Sequence, residues 1–98
     1  MYDEVIKLQL RDKEVFDRVV PKAILRVRDE RSRPRQYLVM ALRLGHVTGQ
    51  VVKWKDIAAQ TYNIRDKTIT VSSTYCQHIY KRGLRLCRIV IELEAEEA

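Results

Sequence analysis

The sequence predicts an α+β fold: a small domain of three or four helices with a short two- or three-stranded sheet. Apolar residues alternate with polar ones over residues 5–10 and 84–93, which is the two-residue period of a β-strand. Between these ends, apolar residues recur three and four positions apart in residues 35–45 and 69–80, as on one face of a helix. The pattern therefore places helices in the middle of the chain and strands towards its two ends.

The length predicts a single domain. Ninety-eight residues can enclose one modest core, so we expect one unit over residues 1–98. Residues 1–30 would supply a strand and a helix, and residues 34–94 the central helices and the last strand. No apolar run approaches the roughly 18 residues of a transmembrane helix, and the polar start of the chain does not resemble a signal peptide. We therefore expect a cytoplasmic protein without a membrane partner.

The first thirty residues hold one predicted strand and one predicted helix. The strand is residues 5–10, with three apolar residues on one side: Ile6, Leu8 and Leu10. A helix is favoured for residues 12–20, and Pro21 is expected to stop it because proline lacks the N–H that a helix interior needs. Residues 22–28 fit either a second strand or a further helical turn.

The central region begins with two predicted helices. Ser32 can cap the first of them and Pro34 suits its first turn. Gly45 is expected to end that helix. A brief extended segment over residues 49–54 precedes the second helix, which begins near Trp54.

A third helix is predicted over residues 66–82. Asn63, which tolerates a left-handed backbone, would form the turn before it, and Asp66 would cap it. Gly83 would end it. Residues 68–75 also alternate and are rich in β-branched side chains, so a strand is the alternative there. The helical spacing favours the helix because it extends several residues beyond the alternation.

Positive charge is concentrated in the middle of the chain. Residues 31–88 hold twelve Lys or Arg and two acids, whereas the first thirty residues hold seven bases and seven acids. The last ten residues hold four glutamates and no base, and the whole chain carries +6. Because clustered cations attract polyanions, a nucleic acid is the expected partner.

The same region contains the residue spacing of a helix-turn-helix. Ala59 is small enough for two helices to cross, and Asn63 stands at the turn four positions later. Ile64 would fill the angle between the helices, and Ile69 would anchor the second helix to the core. This spacing resembles the helix-turn-helix superfamily, and the order of elements resembles its winged-helix branch. Residues 49–57 are similar to the effector domains of winged-helix response regulators. The resemblance implies binding to double-stranded DNA, with the second helix in the major groove.

Thirteen residues of this region are the candidate nucleic-acid contacts. On the exposed side of the predicted third helix, polar and basic side chains would bond bases and phosphates: Arg65, Lys67, Thr68, Thr70, Ser72, Thr74, Tyr75 and Gln77. Basic residues that flank this helix would contact phosphates: Lys53, Lys55, Lys81, Arg82 and Arg85. Because one such domain contacts few base pairs, we expect a homodimer, joined through the N-terminal strand and helix or through the last strand.

A DNA-binding regulator of transcription is thus the predicted function, and two alternatives stay open. One is a winged-helix module that binds a protein of the transcription machinery. The other is an RNA-binding protein, which a strand at residues 68–75 would favour. Sheets that bind RNA usually present aromatic residues, and the seven aromatic residues of this chain are scattered.

No motif predicts an enzyme. The two cysteines, Cys76 and Cys87, are eleven positions apart, whereas a zinc site needs about four ligands in short paired spacings. Three glycines do not form a phosphate-binding loop. No arrangement of Ser, His and Asp, or of Cys and His, has a recognisable catalytic context. We therefore expect no catalytic residue, no cofactor and no metal ion.

Overall fold

The structure, a computed structural model, describes residues 2–98, with the backbone alone of Tyr2. Over these residues the chain forms five α-helices: α1 (Tyr2–Leu10), α2 (Lys13–Ile24), α3 (Arg33–Arg43), α4 (Trp54–Gln60) and α5 (Ser73–Glu97). A short 3₁₀ turn, Glu30–Ser32, precedes α3. The predicted α+β, winged-helix-like fold is therefore wrong. Within the described chain, the extended pairing is one isolated antiparallel bridge between Tyr62 and Thr70.

Helix α5 lies at the centre of the fold and contacts each of the other four helices. Its buried residues recur mostly three and four positions apart, so one face of the helix enters the core: Cys76, Ile79, Tyr80, Gly83, Leu84, Cys87 and Val90. Helix α2 supplies a second apolar face with the same spacing: Phe16, Val19, Val20 and Ala23. These two apolar faces pack against each other and form the core to which the basic loops are attached.

The predicted N-terminal strand is helix α1. Ile6 and Leu10 are 3% and 0% exposed, whereas Leu8 is 63% exposed. Residues four apart share a face of a helix, and the residue between them points away from it. Burial of Ile6 and Leu10 against α2 and α5 therefore selects the helix, because a strand would have buried all three side chains on one side.

The predicted C-terminal strand is the second half of α5. Leu84, Cys87 and Val90 are buried at helical spacing, and Leu93 is 41% exposed. Gly83 does not end the helix; it lies where α5 passes the side chains of α3. The chain thus continues as one helix of 25 residues, stabilised by packing along its whole buried face.

The helix predicted for residues 12–20 is confirmed, but Pro21 does not stop it. Asp12 caps α2, because its Oδ1 accepts hydrogen bonds from the N–H groups of Glu14 at 2.9 Å and Val15 at 3.4 Å. Pro21 is exposed and the helix continues to Ile24. The continuing apolar face compensates for the hydrogen bond that proline cannot donate.

The bounds of α3 follow the sequence prediction closely. Pro34 lies in its first turn, and Gly45 has φ +85° just beyond its end. The N–H of His46 returns to the carbonyl of Ala41 at 2.9 Å, as expected after a left-handed residue. Ser32 does precede the helix, but its hydroxyl donates to the carbonyl of Asp29 at 2.8 Å and does not cap α3.

A twelve-residue connector, residues 61–72, separates α4 from α5. It folds back on itself, because the N–H of Asn63 bonds the carbonyl of Ile69 at 2.8 Å and the N–H of Val71 bonds that of Thr61 at 3.0 Å. Asn63 does not adopt positive φ. Its side chain makes the turn instead, by accepting the N–H of Arg65 at 2.9 Å.

The residue at which α5 begins can be tested directly, because the sequence predicted a helix from residue 66 and the structure begins it at Ser73. Ser72 caps the helix, because its Oγ accepts the N–H of Tyr75 at 3.1 Å. Replacing Ser72 with alanine should lower the free energy of unfolding by about 1 kcal/mol, and the melting temperature by about 4–8 °C. The control is Thr74→Ala, an exposed position in the first turn, with an expected change within about 0.5 kcal/mol. A helix that began at residue 66 would enclose Ser72, and alanine would then stabilise it.

Candidate nucleic-acid interface

Two adjoining grooves line one region of the surface, and arginine dominates both. The first groove encloses about 580 Å³ between the α2–α3 loop, the connector and the start of α5. The second encloses about 310 Å³ between the same loop and the middle of α5. Asp29 lines both grooves, and no other acid lines either one within the described chain. We call the six arginines that line them the arginine surface: Arg26, Arg28, Arg31, Arg35, Arg65 and Arg82.

The α2–α3 loop is fixed by hydrogen bonds to its own backbone. The Arg33 side chain donates from Nε to the carbonyl of Val27 at 3.1 Å and from Nη2 to that of Leu25 at 3.2 Å. These bonds satisfy carbonyl groups just beyond the end of α2. Arg33 therefore acts as a brace for the loop, and the neighbouring Arg26 and Arg28 are exposed towards the second groove.

Arg35 is the buried arginine of this surface. It is 5% exposed, yet it lines the first groove. Its Nη2 donates to the hydroxyl of Tyr75 at 3.3 Å, and its guanidinium carbon lies 5.2 Å from the centroid of the Tyr75 ring. Its Nε is buried without a hydrogen-bond partner. An enclosed guanidinium without a carboxylate partner is costly, so Arg35 leaves positive charge unbalanced at the back of the groove.

Asp29 compensates part of this charge. Its carboxylate bonds Nε and Nη2 of Arg31, both at 3.2 Å, and accepts the Arg31 N–H at 3.0 Å. These hydrogen bonds from Arg31, with a smaller contribution from the charge of Arg35, hold the pKa of Asp29 below its ordinary value. Asp29 is thus ionised at neutral pH, and its charge is already committed to Arg31.

The start of α5 forms the third wall of the first groove. The cap residue Ser72 and the exposed Tyr75 line it, with Thr70 and Arg65 of the connector. The first N–H groups of a helix lack backbone partners and carry the positive end of the helix dipole. This wall therefore adds to the positive potential of the arginines that face it.

The structure divides the thirteen predicted contacts among several places. Four of them line the first groove: Arg65, Thr70, Ser72 and Tyr75. Arg82 lines the second groove. Gln77 and Lys81 lie elsewhere, in a groove of about 260 Å³ beside Asp3 and Glu4 of α1. Lys7 and Arg43 line the same groove, so its two acids are balanced by bases and its surplus of positive charge is one.

The other predicted contacts do not converge on one surface. Thr68 bonds the Asp66 carboxylate from its hydroxyl at 2.6 Å and from its N–H at 3.0 Å, so Asp66 closes a turn and caps no helix. The Lys67 ammonium lies 5.7 Å from the centroid of the Tyr62 ring. The remaining four are exposed on α4, on α5 or just before α4: Lys53, Lys55, Thr74 and Arg85.

The predicted recognition helix over residues 66–82 is also corrected. A helix-turn-helix joins its two helices by a turn of about three or four residues, whereas the connector here has twelve. Lys67, Thr68, Thr70 and Ser72 lie on that connector and on no helix. Residues 68–75 form neither the predicted helix nor the alternative strand along their length, because the bridge at Thr70 is isolated and α5 begins at Ser73.

Four arginines of the surface were not among the predicted contacts: Arg26, Arg28, Arg31 and Arg35. The sequence does carry a signal for them, since five of the ten residues 26–35 are arginine. Arginine binds phosphate in a bidentate way and is the less strongly hydrated cation. The density of arginine over lysine in this loop is what could have identified it.

The two cysteines are buried, and the described residues hold no cluster of potential metal ligands. Cys76 and Cys87 are free thiols in the core, and burial raises the pKa of Cys87 to about 12, so it stays protonated at neutral pH. Across the described residues, His, Cys, Asp and Glu form no group of three or more suited to a metal ion. None of the described helices combines the length and the apolar character needed to cross a membrane.

Comparisons with protein-family models, with curated proteins and with solved structures give no match. The chemistry of the arginine surface is therefore the basis for a functional assignment.

Proposed function

We propose that this chain binds double-stranded DNA by placing the arginine surface against the phosphate backbone. One observation carries the proposal: six arginines line two adjoining grooves that share a single acid, Asp29. Phosphate neutralisation by Lys and Arg supplies most of the affinity of proteins for DNA without regard to sequence. The planar guanidinium forms paired hydrogen bonds with phosphate oxygens, so a surface of arginines is well suited to this role.

The character of the surface favours a duplex over a single strand. Binding of single strands relies on exposed aromatic rings that stack on bases. The ring of Tyr75 faces the guanidinium of Arg35, and Trp54 packs against Tyr80 with centroids 5.3 Å apart. Tyr75 is 42% exposed and is the one aromatic residue of the described chain that lines either groove. One exposed ring offers little stacking surface for a single strand, which leaves the phosphates as the main target. The RNA-binding alternative also loses the strand at residues 68–75 that would have favoured it.

The start of α5 favours DNA over an RNA duplex. Its exposed residues include the polar Thr74 and His78, on the same helix as Tyr75 and Arg82, which line the two grooves. The major groove of B-form DNA admits a helix, whereas that of A-form RNA is too narrow for side chains to read. In this proposal the arginine surface supplies affinity and the first turns of α5 approach the base edges.

The test is a salt series of binding to a DNA duplex, an RNA duplex of the same sequence and a single strand. If about five phosphates are contacted, the logarithm of affinity should fall with the logarithm of salt concentration with a slope of about −4 to −5. We expect the DNA duplex to bind most tightly. The measurement is fluorescence anisotropy of labelled strands and duplexes between about 50 and 200 mM salt, over which the affinity should change by several hundredfold.

A flat salt response, or no binding to any of the three at low salt, would contradict the proposal. That result would favour the interaction module on the transcription machinery. The homodimer stays a prediction. The segments expected to form it are α1 and α2, or the second half of α5. Exposed apolar side chains lie on α1, at Val5 and Leu8, and on α5, at Leu93.

A further inference from the structure

We propose that the first groove is a binding site for the phosphate monoester of a nucleotide, either free or at the end of a nucleic-acid strand. The interior of a duplex offers only phosphate diesters, so this site goes beyond contacts to the DNA backbone. It does not depend on the duplex-binding proposal, because a monophosphate can occupy the first groove without contact with Arg26, Arg28 or Arg82 of the second groove.

The first argument is the placement of Arg35. A side chain that is 5% exposed, with a buried Nε that has no partner, lies at the wall of a groove of about 580 Å³. Burying a guanidinium without a bound carboxylate is unfavourable for folding. A phosphate in the groove would supply the missing counter-charge. Small-molecule sites occupy about 300–1,000 Å³, so there is room for a nucleotide and not only for a bare anion.

The second argument is the balance of charge. Asp29 is hydrogen-bonded to Arg31 at 3.2 Å and interacts with Arg35 through charge alone. Among the described residues, neither Arg35 nor Arg65 therefore has a carboxylate bound to it in the groove. Two positive charges match a phosphate monoester, which carries about −1.5 to −2 at pH 7. A diester carries a single negative charge and would leave the groove cationic.

The third argument is the orientation of α5. The groove includes Ser72 and Tyr75 at the N-terminus of a helix of 25 residues, where the backbone and the helix dipole favour anions. Hydroxyl groups of Thr70 and Tyr75 also line the groove. Arginines, hydroxyls and a helix N-terminus together make the donor set that phosphate monoesters require.

The test is isothermal titration of the full chain with adenosine monophosphate, with adenosine and with inorganic phosphate. Each charge-assisted hydrogen bond contributes about tenfold or more in affinity. The monophosphate should therefore bind at least about tenfold more tightly than adenosine. Affinity should rise from pH 5 to pH 7, because the ester takes up its second negative charge near pH 6. The titratable and charged groups that line the groove beside the phosphate are Asp29, Arg31, Arg35, Arg65 and Tyr75.

Three variants locate the site. Arg65→Gln, at an exposed position, should weaken monophosphate binding by about tenfold and leave the melting temperature nearly unchanged. Arg35→Gln should abolish binding, and its melting temperature shows whether the fold persists. Arg82→Gln, in the second groove, should leave monophosphate binding within about twofold while it weakens duplex binding.

A comparison of duplexes with and without 5′-phosphates distinguishes the two sources of the phosphate, a strand end and a free nucleotide. A duplex with 5′-phosphates that binds at least about tenfold more tightly than its hydroxyl-ended counterpart identifies a strand end. Saturation by the monophosphate without such a difference identifies a free nucleotide. Equal binding of monophosphate and adenosine, or equal losses in Arg65→Gln and Arg82→Gln, overturns the site. Hydroxyl-ended duplexes that fail to bind, with the monophosphate still bound, would instead reject only the duplex proposal.

Discussion

Replacing Arg28, Arg65 and Arg82 together by glutamine is expected to weaken binding to a DNA duplex by about 500-fold at 0.1 M salt. The three side chains are exposed, and one comes from each wall of the arginine surface: the α2–α3 loop, the connector and α5. None of them makes an ion pair within the described chain. Their loss should therefore act on the ligand and not on the fold.

The magnitude follows from counterion release. Each phosphate contact contributes a slope of about −0.9 in the salt dependence, which is about eightfold in affinity at 0.1 M salt. Three lost contacts multiply to about 500-fold and reduce the slope by about three units. Exposed charges contribute little to stability, so the melting temperature should stay within about 3 °C. Anisotropy titrations across a salt series measure both the affinity and the slope.

The matched control removes three lysines that the sequence alone would have placed at the interface. Lys53, Lys55 and Lys81 changed to glutamine carry the same loss of charge, but none of them lines either groove of the arginine surface. We expect the affinity of this variant to fall by no more than about fivefold. If the lysine variant loses as much affinity as the arginine variant, the interface does not lie on the arginine surface.

The two strands were predicted wrongly because a separation of four residues fits both the period of a strand and that of a helix. Ile6 and Leu10 are four residues apart, and a separation of four falls on the same side of a strand and of a helix. Leu8 distinguishes the two, since it would be buried in the strand and is 63% exposed in the helix. Only the packing partners α2 and α5 decide which side chains are buried, and the sequence of α1 does not contain them.

Central elements were easier to predict because their ends are marked locally. Pro34 and Gly45 act within one turn of α3, and both lie where they were expected. Asn63 was correctly placed at a turn, but its side chain forms the turn in place of a left-handed backbone. The burial of Arg35 was not predictable, because a guanidinium is rarely enclosed and its partner Tyr75 is forty residues away.

Gly83 was expected to end a helix, and its role in the structure is contact between helices. A Cβ at this position would lie 2.6 Å from Nε2 of Gln36 and closer still to Sδ of Met40. Both side chains are buried, and Gln36 Nε2 donates to the carbonyl of Ile79 at 2.7 Å. Helix α3 can therefore pack against α5 at this distance only because residue 83 has no side chain.

Gly83→Ala is accordingly expected to lower the free energy of unfolding by about 2 kcal/mol, and Gly83→Val by about 4 kcal/mol. Alanine gains about 1 kcal/mol in helix propensity. Overpacking costs about 1–3 kcal/mol, and displacing the buried Gln36 amide costs about 1–3 kcal/mol more, so the loss outweighs the gain. Urea unfolding followed by circular dichroism measures these changes.

In a Met40→Ala background the cost of Gly83→Ala should fall by about 1 kcal/mol or more, because the sulfur no longer obstructs the methyl group. A Gly83→Ala protein more stable than the parent would show that propensity alone governs this position and that α3 does not contact α5 there.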